Sequence, residues 1–315
     1  MTRTPDPIIT NDFPVNLAVA ARPAKLLACV RQVLPLPFYE LPTTGQMRGD
    51  PVQFHPHKED GLGTDADWDK WGEIDPYFGV LSSDEYRTEN LNAESEAKFF
   101  RSGEVHIGQT LEEIRSHLDK DYHPERSLDF GCGVGRLLIP LAGLSKEAIG
   151  VDVSDHMLAE ASSNCQKRNI QNVSLIKSDD DLTKLTGTFD LIHSFIVLPH
   201  IPEERGLALI EAMLRHLDPG GVVAIHFYYR CDAPKATRAL VKLRYALPIA
   251  NYARNLIRGR PMREPAMQLH TYDLEAVISL LSGAGVSSIY LRPYSEQGFQ
   301  SVALYGQKSD ATAPK

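Results

Sequence analysis

Leu128-Asp-Phe-Gly-Cys-Gly-Val-Gly-Arg136 is the stretch whose reading decides the fold. It follows a short apolar run and leads into 137–142, where the spacing predicts a helix, so its glycines fall at a strand-to-helix turn. Gly131, Gly133 and Gly135 let the backbone turn tightly and approach a ligand more closely than a Cβ would permit. The amino end of the following helix offers free N–H groups to negative charge. Glycines alone are a weak signal. Here Asp152 stands at the predicted end of the next strand, about twenty residues on, where a carboxylate can accept hydrogen bonds from both hydroxyls of a ribose. A plain helix cap is the other use for an aspartate at that point.

Outward from this turn, short apolar runs alternate with helical periods from Pro124 onward, the pattern of a parallel sheet with crossover helices. Strands are predicted at 127–132, 148–153, 173–177, 190–197 and 222–229, with a closing pair at 288–291 and 301–304. Leu207, Ile210, Leu214 and Leu217 share one face of a helix that Asp218-Pro-Gly-Gly221 should stop, and 273–281 reads as another helix. Residues 1–67 form a proline-rich arm with room for one helix, 24–33. Residues 68–123 read as a helical cover, amphipathic over 94–100 and 108–118. The main domain is expected over 124–307 with a basic insertion at 230–265, and 308–315 as a disordered tail.

An apolar fraction of 43 % and a charged fraction of 23 % over 315 residues exclude a disordered, collagenous or disulfide-scaffold protein. Cys29, Cys132, Cys165 and Cys231 form no C-x-x-C pair and are expected to be reduced thiols. No apolar run reaches the ~18 residues of a membrane span, and Met1-Thr-Arg-Thr-Pro-Asp-Pro7 lacks the features of a signal peptide, so a cytoplasmic location is expected. A net charge of -8 argues against a general nucleic-acid binder.

Two ligand classes use a glycine turn followed by an acid. The dinucleotide fingerprint would need glycine at 136, where this chain has Arg136. The order that begins at Asp129, acid-x-G-x-G-x-G, instead resembles motif I of class I S-adenosylmethionine-dependent methyltransferases. The likeness continues in register through Ile149-Gly-Val-Asp-Val-Ser154, Ser178-Asp-Asp-Asp181, Phe189-Asp-Leu-Ile-His-Ser-Phe-Ile-Val-Leu-Pro-His200 and Leu217-Asp-Pro-Gly-Gly-Val-Val223. It implies an α/β, Rossmann-like, mainly parallel sheet of about seven strands with helices on both faces and an antiparallel strand near the C-terminus. It implies S-adenosylmethionine as cofactor: the ribose on Asp152 beside Val153, the adenine by Ser178, Asp179 and Asp180, the methionine over Asp129, Gly131, Cys132, Gly133, Gly135 and Arg136 and against Ser194 and Phe195. For Asp179 to Asp181 a solvated acidic turn is the competing reading. Trp71 to Leu81 and Phe99 to His106 are similar to the amino-terminal cover of bacterial methyltransferase-domain proteins, several associated with glycan or small-molecule modification. That likeness implies that Tyr77, Ser102 and Gly103 lie near the methionine end. A nicotinamide-dependent oxidoreductase and a non-catalytic binding scaffold are the rival classes.

Methyl transfer from a sulfonium is an in-line displacement, so alignment supplies much of the rate and a general base is needed only for a hydroxyl or protonated amine. His200, just past the fourth strand of the domain, is the best-placed catalytic candidate, with a packed structural histidine as the alternative. His193 reads as core, and Tyr77, His106, His226 and His270 are further acceptor-pocket candidates. His55-Pro-His57 with Glu59 and Asp60 lacks the further spaced ligands of a closed site, so no metal is expected. The Asp/Asn-Pro-Pro-aromatic motif of enzymes that methylate base amino groups is absent, Ser194-Phe-Ile-Val197 standing in its place, so no nucleic-acid partner is expected. The acceptor is expected to be small or medium-sized, of the glycan, lipid-linked or natural-product sort. Between 230 and 263 the chain carries nine Lys or Arg (230, 235, 238, 242, 244, 254, 258, 260, 263) against one acid, Asp232. Two amphipathic helices broken at Pro248 could make a solvated cover, a lid over an anionic acceptor, or a peripheral attachment to anionic lipid.

Overall fold

Buried-both-sides strands such as Arg126–Phe130 and Glu147–Asp152 suit a parallel sheet clad with helices on two faces. The computed structural model describes residues 15–18, 64–262, 264–296 and 298–310. The expected helix at 24–33, Cys29, the His55 to Asp60 cluster and residues 311–315 of the expected tail lie outside the described residues.

The strands are β1 (Val15–Ala18), β2 (Arg126–Phe130), β3 (Glu147–Asp152), β4 (Val173–Lys177), β5 (Phe189–Ser194), β6 (Leu217–Cys231), β7 (Val286–Glu296) and β8 (Phe299–Lys308). They form one sheet in the order β1-β7-β8-β6-β5-β2-β3-β4. Strands β2 to β6 pair in parallel, and β8 runs antiparallel between β6 and β7. Strands β2 to β8 are thus the expected seven; β1 adds an eighth, antiparallel to β7 at the edge.

The helices are α1 (Thr64–Ile74), α2 (Pro76–Val80), α3 (Ala93–His117), α4 (Leu138–Ala142), α5 (Asp155–Lys167), α6 (Glu203–Arg215), α7 (Lys235–Ala246), α8 (Pro248–Ile257) and α9 (Leu274–Gly283). One face of the sheet packs Leu128, Ile192, Val223 and Ile225 against Ile210 and Met213 of α6 and Val277 and Leu281 of α9. The other packs Leu191, Val222 and Ala224 against Ile107, Leu111 and Ile114 of α3. Among the described residues no helix is long and apolar enough to cross a membrane.

Two local expectations need correction. The segments 94–100 and 108–118 belong to one helix of 25 residues, α3. Asn92 caps it, its side chain accepting from Glu94 N at 3.0 Å and Ser95 N at 3.1 Å, while Ser95 Oγ accepts from Asn92 N at 2.9 Å. The polar, glycine-bearing stretch that broke the apolar period is a packing notch: a Cβ on Gly103 would lie 2.1 Å from the carbonyl oxygen of Arg136. Asp218-Pro-Gly-Gly221 does not itself stop α6, which ends at Arg215; it lies within β6, where the register against β5 shifts and Gly220 takes φ +75°.

Candidate active site

The glycine turn is held by its own backbone. Gly131 N and Cys132 N both donate to Val151 O, at 2.8 and 3.0 Å, which ties the turn to the end of β3. Gly131, Gly133 and Gly135 have φ of +77°, +50° and +91°, a region that a Cβ disfavours. A Cβ on Gly131 would meet Val197 Cγ2 at 2.3 Å, and one on Gly133 would meet Val80 Cγ2 at 2.6 Å.

Asp152 joins this turn to the next helix. Its Oδ2 accepts from Gly133 N at 2.9 Å and its Oδ1 from Ser154 N at 3.0 Å. Capping of α5 falls to Ser154, whose hydroxyl accepts from Met157 N at 3.2 Å. The carboxylate is therefore left to face a ligand. Burial pushes its pKa up to about 6, against the pull of the Ser154 and Gly133 N–H groups.

A cavity of about 400 Å³ opens at the carboxyl ends of β2, β3 and β5. Of the expected site residues it is lined by Asp129, Gly131, Cys132, Gly133, Arg136, Asp152, Val153, Ser178, Phe195 and His200. The others stand outside the lining. Gly135 lies beneath the turn, its N–H on Cys132 O at 2.9 Å. Asp179 closes its own turn, accepting from Thr183 N at 2.8 Å and Thr183 Oγ1 at 2.7 Å. Asp180 is drawn away by Arg205 Nε at 2.7 Å, whose other nitrogens grip Asp65 of α1 at 2.6 and 2.7 Å. Tyr77 turns the opposite way along α2, its hydroxyl donating to Glu160 Oε1 at 2.9 Å and Asn164 Oδ1 at 3.0 Å, so it pins α2 to α5. Ser102 and Gly103 stand behind Arg136: Ser102 Oγ accepts from Arg136 Nη1 at 3.3 Å, and Gly103 seats its carbonyl. Ser194 sits one residue short of the lining Phe195.

Polar groups around the turn remain without partners. Asp129 Oδ2, Arg136 Nε and Ser194 Oγ are buried and make no hydrogen bond. Such atoms are costly unless a bound group completes them. A buried carboxylate oxygen and a buried guanidinium N–H on residues that line one cavity suit the ammonium and carboxylate of an amino-acid moiety, and Asp152 suits a ribose. With two glycines that leave no room for a Cβ, these residues fit S-adenosylmethionine.

The catalytic candidate His200 lies in the lining with its Nδ1 2.8 Å from Gln268 O. A carbonyl only accepts, so the proton is on Nδ1 and Nε2 carries the lone pair. Burial pushes its pKa down to about 4, which keeps the ring neutral at pH 7. Trp68 of α1 meets it edge-on, ring centres 4.9 Å apart. Tyr77, His106, His226 and His270 do not line the cavity. His106 and His226 instead pack against the lining Phe195, at 3.9 and 4.7 Å between ring centres. His193 is buried as expected, yet it is part of a chain: its Nδ1 lies 3.0 Å from Asp129 Oδ1 and its Nε2 3.2 Å from His106 Nε2.

Among the described side chains, none of 230–263 lines the cavity. Tyr245 Oη ties the basic insertion to the rim, donating to the carbonyl of Met267 at 3.1 Å; Met267 and Leu269 do line the cavity. Trp68, Val80, Val197, Met267, Tyr228 and Phe299 are lining residues that the sequence did not single out. Val80 carried a signal as part of the cover segment from Trp71 to Leu81, and Val197 as part of the motif from Phe189 to His200.

Residues 128–221 match the family described as "Methyltransferase domain". The magnesium-protoporphyrin O-methyltransferase of Synechocystis sp. is 30 % identical over 139 residues, covering 43 % of this chain and 59 % of that protein. A 23S rRNA (uracil(1939)-C(5))-methyltransferase of Photobacterium angustum is 30 % identical over 121 residues, 38 % of this chain and 52 % of that protein. The chain thus spans only half to three-fifths of these relatives. The solved structure of the Synechocystis magnesium protoporphyrin IX methyltransferase with bound SAH shares the fold, with a TM-score of 0.50, 20 % identity and coverage of 79 % of this chain and 97 % of that one. The acceptors named for the two relatives, a porphyrin and an rRNA uracil, have nothing in common, and the second belongs to the nucleic-acid class that composition argued against.

Proposed function

We propose that this chain, which carries a methyltransferase domain of the S-adenosylmethionine-dependent kind, methylates a hydroxyl or amine on a small or medium-sized acceptor, of the glycan, lipid-linked or natural-product sort. The observation that carries the reading is the pairing, in one cavity, of an Asp152 carboxylate fixed by Gly133 and Ser154 with a buried, neutral His200.

When bound, S-adenosylmethionine supplies an electrophilic methyl on a positively charged sulfur. Asp152 accepts from the ribose hydroxyls, and Ser178 borders the adenine. Asp129 and Arg136 hold the ammonium and carboxylate of the methionine part through the atoms that lack partners. Phe195 and Val197, which line the cavity beside the turn, would border the cofactor. His200, its Nδ1–H held by the Gln268 carbonyl, would take the acceptor's proton at Nε2. Trp68 and the segment from Gly79 to Ser82 cover this side of the cavity and exclude water.

The test is calorimetric titration with S-adenosylmethionine, its demethylated product and the nicotinamide cofactors, followed by a screen of acceptors with label-bearing cofactor. Binding of the first two alone, with labelled product, supports the reading. Nicotinamide binding would transfer the chain to the oxidoreductases, and cofactor binding with no labelled product from any acceptor would leave a scaffold.

A further inference from the structure

The second helix of the basic insertion is inside out. Asn251 and Asn255, four residues apart on α8, face inward at 5 % and 2 % exposure, and both side-chain amides donate to the carbonyl of Glu264 at 2.9 Å. The opposite side carries Ile249, Leu256 and Ile257, exposed at 75 %, 71 % and 85 %. A surface helix ordinarily does the reverse. Leu240, Leu247, Tyr252 and Met262 are exposed as well, so seven of the ten exposed large apolar side chains among the described residues fall between 240 and 262. Single exposed apolar residues are commonplace, but a cluster of this kind marks an interaction surface. Its orientation is enforced, because turning α8 to hide Ile257 would strip two buried amides of their acceptor.

The charge around the face selects the partner. Nine cations against one acid lie between 230 and 263 of a chain with net charge -8. Arg238 and Arg258 are exposed beside the apolar residues. Nucleic acid would engage the cations and leave the isoleucines in water. An anionic lipid surface satisfies both, with cations at the headgroups and apolar side chains at the acyl boundary. We propose that the α7–α8 hairpin docks the protein on anionic phospholipid, α8 lying in the interface with Ile249, Leu256 and Ile257 inserted. Through Tyr245 and Met267 the same hairpin touches the rim of the cavity, so docking brings that rim to the lipid. This inference goes beyond the methyl-transfer reading and stands without it.

Flotation of the full chain with vesicles of phosphatidylcholine alone, and of phosphatidylcholine mixed with phosphatidylglycerol, tests it. The protein should float with the mixed vesicles and stay behind with the neutral ones. Ile249→Ser/Leu256→Ser/Ile257→Ser, and separately Arg238→Glu/Arg258→Glu, should each lower the partition coefficient by roughly tenfold or more. Their melting temperatures should stay at the parent value, since every changed side chain faces outward. No flotation of the parent, or flotation of the serine variant equal to the parent, overturns the proposal. So does a parent that stays behind yet is a dimer which the serine variant dissolves, because the face would then belong to a second copy.

Discussion

His193 and Asp129 face each other across β5 and β2, paired in register, with the imidazole Nδ1 3.0 Å from the carboxylate Oδ1 and both side chains almost wholly buried. The histidine fixes which oxygen of Asp129 remains to meet a ligand. His106 completes the arrangement from α3, 3.2 Å from the other ring nitrogen. Replacing His193 by Phe removes the donor and leaves a buried carboxylate without its partner, at a cost of roughly 1–3 kcal/mol. A lower melting temperature and at least tenfold weaker binding of the demethylated cofactor should accompany it; an unchanged affinity would show that Asp129 needs no orienting.

Cofactor affinity should depend on pH through Asp152. Its pKa is raised to about 6, and only the ionised form accepts from both ribose hydroxyls. Binding of the demethylated cofactor should therefore be constant above about pH 7 and weaken by roughly tenfold for each unit below 6. Asp152→Ala should weaken it at pH 7.5 by roughly 1–3 kcal/mol and abolish the slope. Calorimetric titrations at pH 5 and 7.5 check both, and a flat profile in the parent removes Asp152 from the ribose.

Stability should fall on mild acidification. Burial lowers His200 and His226 to about 4 and His106 to about 2, against roughly 6.5 in the unfolded chain. Between about pH 6.5 and 4 the unfolded state then binds more protons than the folded one, so stability rises with pH through that window. Asp152, with its raised pKa, contributes the opposite slope between about 4 and 6, as do Asp67 and Asp190, raised by burial, while His270, lowered by burial, adds to the other histidines. Thermal melts from pH 7.5 to 4.5 should show the decline, and His226→Gln should flatten it. A parent curve that is level over this range contradicts the burial of these rings as neutral groups.

Gly103→Ala should damage the site without touching the cavity. The added methyl would lie 2.1 Å from Arg136 O, and the obstacle is backbone on both sides. Either α3 lifts or the turn shifts, at roughly 1–3 kcal/mol. Gly108, with nothing within 4 Å of an added Cβ, is the control, since Gly108→Ala in mid-helix should be neutral or stabilising. Thermal melts and cofactor titrations of the pair separate the notch from a general effect of alanine.

For an acceptor found by the label screen, His200→Ala should lower kcat by roughly 100-fold and leave cofactor affinity within twofold. Added imidazole should restore part of the rate. Loss of cofactor binding, or no response to imidazole, would make His200 a structural ring held on Gln268.

Much of the fold could be read from the chain because the strands are continuous apolar runs between breakers. Residues 173–177 form β4 as predicted, and the other strands of the domain differ only at their ends. The turn and Asp152 were legible for a similar reason, since positive φ and a close approach restrict the residue types allowed. That Asp179, Asp180 and Tyr77 stand outside the lining was not legible, because their placement depends on partners distant in sequence or on a local turn: Arg205 for one aspartate, Thr183 for the other, Glu160 and Asn164 for the tyrosine. The relation of His106 to His193 was equally hidden, since 87 positions separate them and neither stands in a motif of its own. Amphipathicity found the helix at 248–257 but could not say which face looks inward; two asparagines and one carbonyl decide that.

Arg205 binds Asp65 of α1 and Asp180 after β4 together, while Val80 occupies the space beside Gly133 that a side chain would otherwise fill. The segment recognisable as a methyltransferase domain is consequently not a portable cartridge. Recombination that grafted residues 128–221 onto another amino-terminal region would carry the glycine turn and its acid but leave behind Asp65 and Val80, which line the cavity beside them. Lineages of this protein should therefore inherit the leading helices and the nucleotide turn as one block, and exchange more freely the hairpin that follows β6.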